Sequence, residues 1–265
     1  MHRWKVGDVE VVRIEDDDFA VPSERPVPDW AVPHLAPDTS AYYLAFSAYG
    51  IASGSRRIVV DPWLANDFVR TRPDAAERAE RLLGALADAG FDPEDVDTVV
   101  NTHIDGVGWN TRPDGDGWRP SFPNARHLYD RAEHDAYVRR EPLFADVDLS
   151  PLFDAGLVDP VDPPFAVADG VSLVDRPGEN FGHLAVHLDS RTELAMIPGH
   201  LFLSVLGVSD PAPGDEERED AVVSRAEVLA ELADRQGLLL SPLFGGAGGG
   251  RVERDADGYR LVATA

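Results

Sequence analysis

The residues able to do chemistry in this chain form a restricted set. No cysteine occurs among its 265 residues, so disulfides, thiolate ligands, iron–sulfur clusters and cysteine nucleophiles are excluded. Any transition metal must therefore sit on imidazole and carboxylate. Imidazole is also the side chain whose ordinary pKa lies nearest neutrality, which makes each of the eight histidines a candidate proton carrier. His103 is distinguished by its setting. The apolar run from Val96 to Asn101 leads directly into it, and a polar, glycine-rich stretch from Asp105 to Pro123 follows. An imidazole and a carboxylate thus stand where a strand gives way to a loop, although Asp before Gly is equally a turn former. His183 and His187 alternate on one predicted strand and read as structural, as do His2, His34, His127 and His134. The run Gly245-Gly246-Ala247-Gly248-Gly249-Gly250 lacks the Lys-Ser/Thr and following helix of a phosphate loop, so it reads as a flexible connection.

The elements that must position these groups follow a rhythm of strand, loop, strand, helix, strand. Val6 to Ile14 alternates like a half-buried strand, and a proline-rich stretch from Val21 to Pro37, long enough to be a lid, comes next. Tyr42 to Ala52 and Arg56 to Val60 read as a hairpin around Gly54. Asp74 to Ala89 has helical spacing and is closed by Gly90. A strand is expected at Arg126 to Tyr129, helices near Arg131 to Arg139 and Leu149 to Ala155, and strands at Val171 to Val174, Leu184 to Leu188 and Leu194 to Ile197. A helix from Asp220 to Gln236, a buried strand at Leu238 to Leu240 and a final hairpin complete the chain. Helices and strands interleave in both halves, as in two sheets flanked by helices, and 265 residues suffice for one domain spanning 1–265.

The formal charge of −24, from 48 acidic and 24 basic residues, creates a field that repels nucleic acid, anionic lipid and polyanionic substrates. The expected partner is a neutral or cationic small molecule. The N-terminus has no apolar signal region and no stretch approaches a membrane span, so a cytoplasmic location is expected.

At the turn after Asn101 a resemblance becomes specific. Val99-Val100-Asn101-Thr102-His103-Ile104-Asp105-Gly106-Val107-Gly108-Trp109-Asn110 resembles the T-H-x-H-x-D-H-x-G-W-N metal loop of the metallo-β-lactamase-fold hydrolases, with two residues deleted and Gly106 in place of a histidine. Val59-Val60-Asp61 is similar to that family's strand end before its loop, and Gly90-Phe91-Asp92-Pro93 to the approach to the metal loop. Phe122-Pro123-Asn124-Ala125-Arg126 and Arg131-Ala132-Glu133 are similar to the segment that follows it. Pro177-Gly178-Glu179-Asn180-Phe181-Gly182-His183 resembles P-G-H-T-P-G-H, with Glu179 in place of a metal-binding histidine. Ile197-Pro198-Gly199-His200 resembles the strand end whose aspartate bridges two ions, here His200, and Leu243 falls where the last ligand belongs.

The resemblance implies an α/β fold, an αββα sandwich of two mixed sheets. It also implies that His103, Asp105, Glu179 and His200 share one rim, as catalytic groups or, if one ion binds, as its ligands. Two ions cannot be held by that set, so no cofactor is expected, though a single divalent ion is compatible with it. Trp109, Asn110 and Trp118 are expected to line the pocket, and Trp30 to cover it. Asp61 is expected to orient strand ends. Glu and His at former ligand positions can transfer protons, which points to metal-independent acid–base chemistry, such as elimination, cyclisation or ring opening in specialised metabolism. A mononuclear hydrolase of an ester, lactone or amide and a non-catalytic binding protein are the alternatives.

Overall fold

Alternation along the second strand sets up the layers. Val9 and Val11 turn toward one apolar cluster and Val12 and Ile14 toward another, so this strand is covered on both faces. The computed structural model describes residues 1–21, 27–35, 42–62, 73–104, 108–178, 181–209, 219–255 and 258–264, the side chains of 17–21 and 42–44 excepted. The first sheet contains β1 (His2–Val6), β2 (Val9–Val21), β3 (Tyr42–Ser53), β4 (Arg56–Val60), β5 (Thr98–Val100), β8 (Arg126–Asp130) and β9 (Val158–Val161), in that spatial order. The second contains β10 (Phe165–Ala168), β11 (Val171–Asp175), β12 (Leu184–Ser190), β13 (Glu193–Ile197), β14 (Leu238–Leu240), β15 (Gly249–Asp255) and β16 (Gly258–Ala263), also in order. Pairing is antiparallel except from β4 through β9 and between β13 and β14. Pro160, which has no N–H for a ladder, sits on the edge strand β9.

The sheets face each other across Val60, Val100 and Leu128 from one side and Leu173, Val186 and Ile197 from the other. Helix α1 (Ala75–Asp88) covers the outside of the first sheet, burying Ala75, Ala79, Leu82, Leu83 and Leu86 at the spacing of one helical face. Helix α4 (Glu219–Asp234) covers the second through Val228, Leu229 and Leu232. Between them in sequence lie the short helices α2 (Arg131–Val138) and α3 (Ser150–Asp154), which close a satellite cluster with Ile104 and Tyr129. Among the described residues no helix is long and apolar enough to cross a membrane.

Four expectations are corrected here. The strand expected from Val6 to Ile14 is the end of β1 and the start of β2, separated by a tight turn in which Gly7 takes φ +59. The stretch expected as loop from Asp105 to Pro123 carries a hairpin, β6 (Thr111–Asp114) with β7 (Gly117–Pro120). The proline-rich stretch from Val21 to Pro37 contains a 3-10 turn, Asp29–His34, with buried Ala31 and His34. The glycine run is not a flexible connection. Gly249 and Gly250 belong to β15, and Gly246 and Gly248 pack so closely on Pro33 and Arg13 that a side chain at either would collide. Arg13, wholly buried, points inward from β2 and donates to the carbonyls of Phe244 and Gly246 and to Ser47 Oγ, tying the first sheet to the second.

Candidate active site

Strand ends converge at one rim of the sandwich. β4 runs into Asp61, β5 into Thr102 and His103, and β13 into Gly199 and His200, while His183 stands just before β12. The two sheets are stitched at this point by a backbone hydrogen bond from Leu184 N–H to Thr102 O, 2.8 Å long.

The side chains form a chain of hydrogen bonds whose directions can be derived. Asp61 accepts from Thr102 twice, through the backbone N–H and through Oγ1, each at 2.8 Å. With its carboxylate ionised, Thr102 Oγ1 must spend its one proton there and is left as an acceptor. His103 Nδ1 lies 3.0 Å from that oxygen and therefore carries the proton. His103 Nε2 is then a lone pair, and His200 Nδ1, 3.1 Å away, donates to it. The proton of His200 is thereby fixed on Nδ1, and its Nε2 has the basic lone pair. His183 is fixed in the same sense, because its Nδ1 lies 3.0 Å from the Arg176 carbonyl, which can only accept. The His183 and His103 rings are 5.2 Å apart and the His103 and His200 rings 4.3 Å.

Burial dominates the electrostatics. It drives His103 and His200 well below the ordinary imidazole pKa, and the neighbouring imidazoles push further in the same direction. His183 is lowered to about 4 by burial, against the pull of the Arg176 carbonyl. Burial raises Asp61 to about 7 although both Thr102 hydrogen bonds oppose the shift. At neutral pH the rim imidazoles are therefore neutral, backed by a carboxyl group near its own midpoint.

Backbone geometry makes the convergence possible. Gly199 adopts φ +56, and a β-carbon there would lie 2.5 Å from Thr102 Oγ1 and 2.8 Å from His183 Nε2. Glu133, wholly buried on α2, accepts from Ile104 N–H at 2.7 Å and holds the backbone directly after His103. Asp130 caps α2 through the Ala132 and Glu133 N–H groups and packs on Gly182, where no β-carbon would fit.

Of the residues expected at this rim, His103 and His200 are brought together; Asp105 and Glu179 lie outside the described residues. Trp109 is wholly buried in the cluster under α1 and donates to Asp16 Oδ2 at 2.7 Å, and Trp118 packs on the same cluster. Asn110 bonds to Asn101 and His127 in a buried polar network. Trp30 packs into the cluster outside the second sheet with Leu201 and Phe202. The reason is that Trp and Asn after the metal-loop segment fill the helix-facing side of the first sheet, where an indole has both a large apolar volume to occupy and a carboxylate to bond. Conversely, His183 was read as structural because it was counted onto β12 with His187. The strand begins only at Leu184, so His183 belongs to the rim while His187 pairs with Glu231 on α4. Its position at the end of the Pro177–His183 segment was the available signal.

Both oxygens of Asp61 accept from Thr102, both nitrogens of His103 are hydrogen-bonded, and Leu243, where the resemblance places the last ligand, is buried. Among the described residues no group of three or more His, Asp or Glu is placed to hold an ion.

No protein-family model and no curated protein matches the sequence. Solved structures match the fold over its whole length. The hydrolase AbOPH of the beta-lactamase superfamily is 16% identical with a TM-score of 0.75, covering 100% of this chain and 97% of its own. AidC, described as a dizinc quorum-quenching lactonase, is 17% identical with a TM-score of 0.74 over 100% and 97%. A probable metal-dependent hydrolase from Staphylococcus aureus is 17% identical with a TM-score of 0.70 over 99% and 100%. Two packed mixed sheets between helices, matched end to end by these structures, give the chain the metallo-β-lactamase fold.

Proposed function

We propose that the protein is a small-molecule enzyme built on this hydrolase scaffold, and that its rim site works by imidazole acid–base chemistry without a metal ion. The supporting observation is the directed chain Asp61–Thr102–His103–His200. His200 Nε2 is the base that meets the substrate. When it takes a proton, the Nδ1 proton can pass to His103 Nε2, the His103 Nδ1 proton to Thr102 Oγ1, and the threonine proton to Asp61. Each step restores a neutral group, and the carboxylate at the end, with a pKa near 7, accepts the charge without a large penalty. Elimination, cyclisation or ring opening of an uncharged or cationic substrate is the class of reaction that such a site performs. The net charge of −24 disfavours anionic substrates.

The test uses 5-nitrobenzisoxazole, an uncharged probe whose C–H proton goes to a base as the N–O bond breaks to give a nitrile and a phenolate. Turnover by protein with less than a tenth of an equivalent of zinc, iron or manganese, insensitive to chelator and lost in His200→Ala, is the expected result. Turnover that disappears on chelation overturns the metal-independent reading.

One observation favours the mononuclear alternative. The 3.1 Å between His103 Nε2 and His200 Nδ1 is near the roughly 3.3 Å separating two imidazole nitrogens on one tetrahedral zinc. Under that reading Asp105 and Glu179 complete the ligands, and the reaction is hydrolysis of an ester, lactone or amide, as in the lactonase of the same fold. One tightly held ion per chain would establish it.

A further inference from the structure

We infer that Ser224 and Arg225, neighbours on α4, are positioning residues that hold the segments carrying His183 and His200 and so set both imidazoles of the second sheet against His103 of the first. The inference rests on the acid–base reading of the rim. Neither imidazole stands on a strand. His183 comes just before β12, and His200 lies in the 3-10 turn Gly199–Leu201 beyond the end of β13. Outside a sheet ladder, the place of a backbone segment depends on where its carbonyls find donors. Ser224 Oγ donates to Pro177 O at 2.6 Å, and Arg225 Nη1 donates to Leu201 O, directly after His200, at 3.1 Å.

The contact at Pro177 reaches His183 through the residue beside it. Arg176 gives its N–H to His183 O at 2.8 Å, and its carbonyl oxygen lies 3.0 Å from His183 Nδ1. The Arg176 guanidinium also meets α4, at Glu231 Oε2, 3.4 Å away. Gly178 passes so near the helix that a β-carbon there would stand 3.3 Å from both the Ala221 and the Leu201 side chains. Consecutive helical residues point about 100° apart, which lets one turn of α4 reach both segments. The apolar attachment of the helix is made further along, by Val228, Leu229 and Leu232. Ser224 and Arg225, 3% and 5% exposed, instead bring buried polar groups to the two carbonyls that flank the imidazoles. A buried guanidinium is unfavourable unless hydrogen-bonded, so Arg225 is held by its acceptors as firmly as it holds them.

The experiment follows the imidazole N–H protons of the full chain by nitrogen-15 correlated NMR, with 5-nitrobenzisoxazole turnover measured beside it. The wild type should show a hydrogen-bonded Nδ1–H for His183 and for His200, each identified by its loss in His183→Gln or His200→Gln. Ser224→Ala should shift or broaden the His183 signal, and Arg225→Met that of His200. Each should lower kcat roughly tenfold or more with KM within about twofold, because a misplacement of about 1 Å can cost on the order of a hundredfold in rate. Ser224→Thr, which keeps the hydroxyl, should restore signal and rate. Val228→Ala, which opens a cavity on the same helix, should lower Tm and leave signals and kcat as they are. Absence of both signals from the wild type, signals unmoved in Ser224→Ala and Arg225→Met, or equal displacement in Val228→Ala would each overturn the inference. So would full turnover by both variants when His200→Ala has lost it; Ser224→Ala alone decides if Arg225→Met does not fold. Displaced signals alongside turnover indifferent to His200→Ala would leave the positioning standing and remove only the acid–base reading.

Discussion

Thr102 is the residue on which the site turns, because its hydroxyl joins a carboxylate of the first sheet to an imidazole pair that spans both. Thr102→Val keeps the shape and removes the joint. One oxygen of Asp61 then loses its donor inside the protein, at a cost of about 1–3 kcal/mol, or a fall in Tm of roughly 3–10 °C in a chain of this size. Turnover should fall with it, and Thr102→Ser, which restores the hydroxyl, should recover both. A fall in Tm without loss of turnover in Thr102→Val would show that the hydroxyl only supports the fold. His200→Ala separates the roles differently. It removes the group proposed as the base, so turnover should drop about a hundredfold or more while thermal melting moves by only a few degrees. Equal turnover by the variant would make His200 a bystander. His103 and His200 were legible at this scale because each stands at a strand end whose neighbouring residues match a known pattern. His183 was not, since one residue's uncertainty in where β12 begins decides whether it faces α4 or the rim.

The elements were legible where one period ran uninterrupted. The helix expected from Asp74 to Ala89 is Ala75–Asp88, and Leu238–Leu240 is the strand expected at that place. What escaped were pairs of short strands whose turns carry few apolar residues, such as β6 with β7, and the hairpin at Gly7, where continuous alternation across Val6 and Val9 hid the break. That Trp109 and Trp118 pack on the cluster under α1 was not legible either, since a sequence does not say which face of a sheet a loop residue returns to. At the rim, the close approach between elements is Gly199, held against both Thr102 and His183. Gly199→Ala must either leave the left-handed backbone or push the two side chains apart, and both break the junction of β13 with β5. Loss of turnover with a drop in Tm is expected, measured by the benzisoxazole assay and by thermal melting. A variant that melts and turns over like the wild type would show that the rim is looser than these distances allow.

Acid sensitivity belongs to the molecule as a whole. Burial holds His34, His127 and His183 at about 4 and drives His103 and His200 well below the ordinary value. A histidine with a lowered folded-state pKa binds its proton in the unfolded chain first. Its stabilising contribution is present above pH 6.5 and is lost as the pH falls through the folded value. Asp61, raised to about 7, has the opposite sign and loses stability as the pH rises from the ordinary carboxylate range through 7, and burial raises Asp16 and Asp175 in the same sense, but among the described residues these three carboxyls stand against six lowered histidines, His2 included. Most exposed carboxylates stay ionised between pH 7 and 5, so relief of the −24 charge does little in that window. The Tm should therefore decline from pH 7 to pH 5, and a flat or rising profile would mean that these imidazoles are not held neutral. Salt acts the other way: raising NaCl from 0.05 to 1 M shortens the range of repulsion among 48 acidic residues, and the Tm should increase.

The order of the strands has a further consequence. Every strand of the first sheet comes from residues 2–161 and every strand of the second from residues 165–263, so each half of the chain builds one whole sheet and residues 162–164 are the only covalent crossing between them. The halves meet through the apolar interior, the Leu184–Thr102 stitch at the rim and the Arg13 guanidinium on the far half's carbonyls. His103 belongs to one half, His183 and His200 to the other. The gene can accordingly be divided at that crossing into two open reading frames. Neither fragment alone carries a full proton path, and co-expression should restore turnover, making catalysis a reporter of fragment complementation.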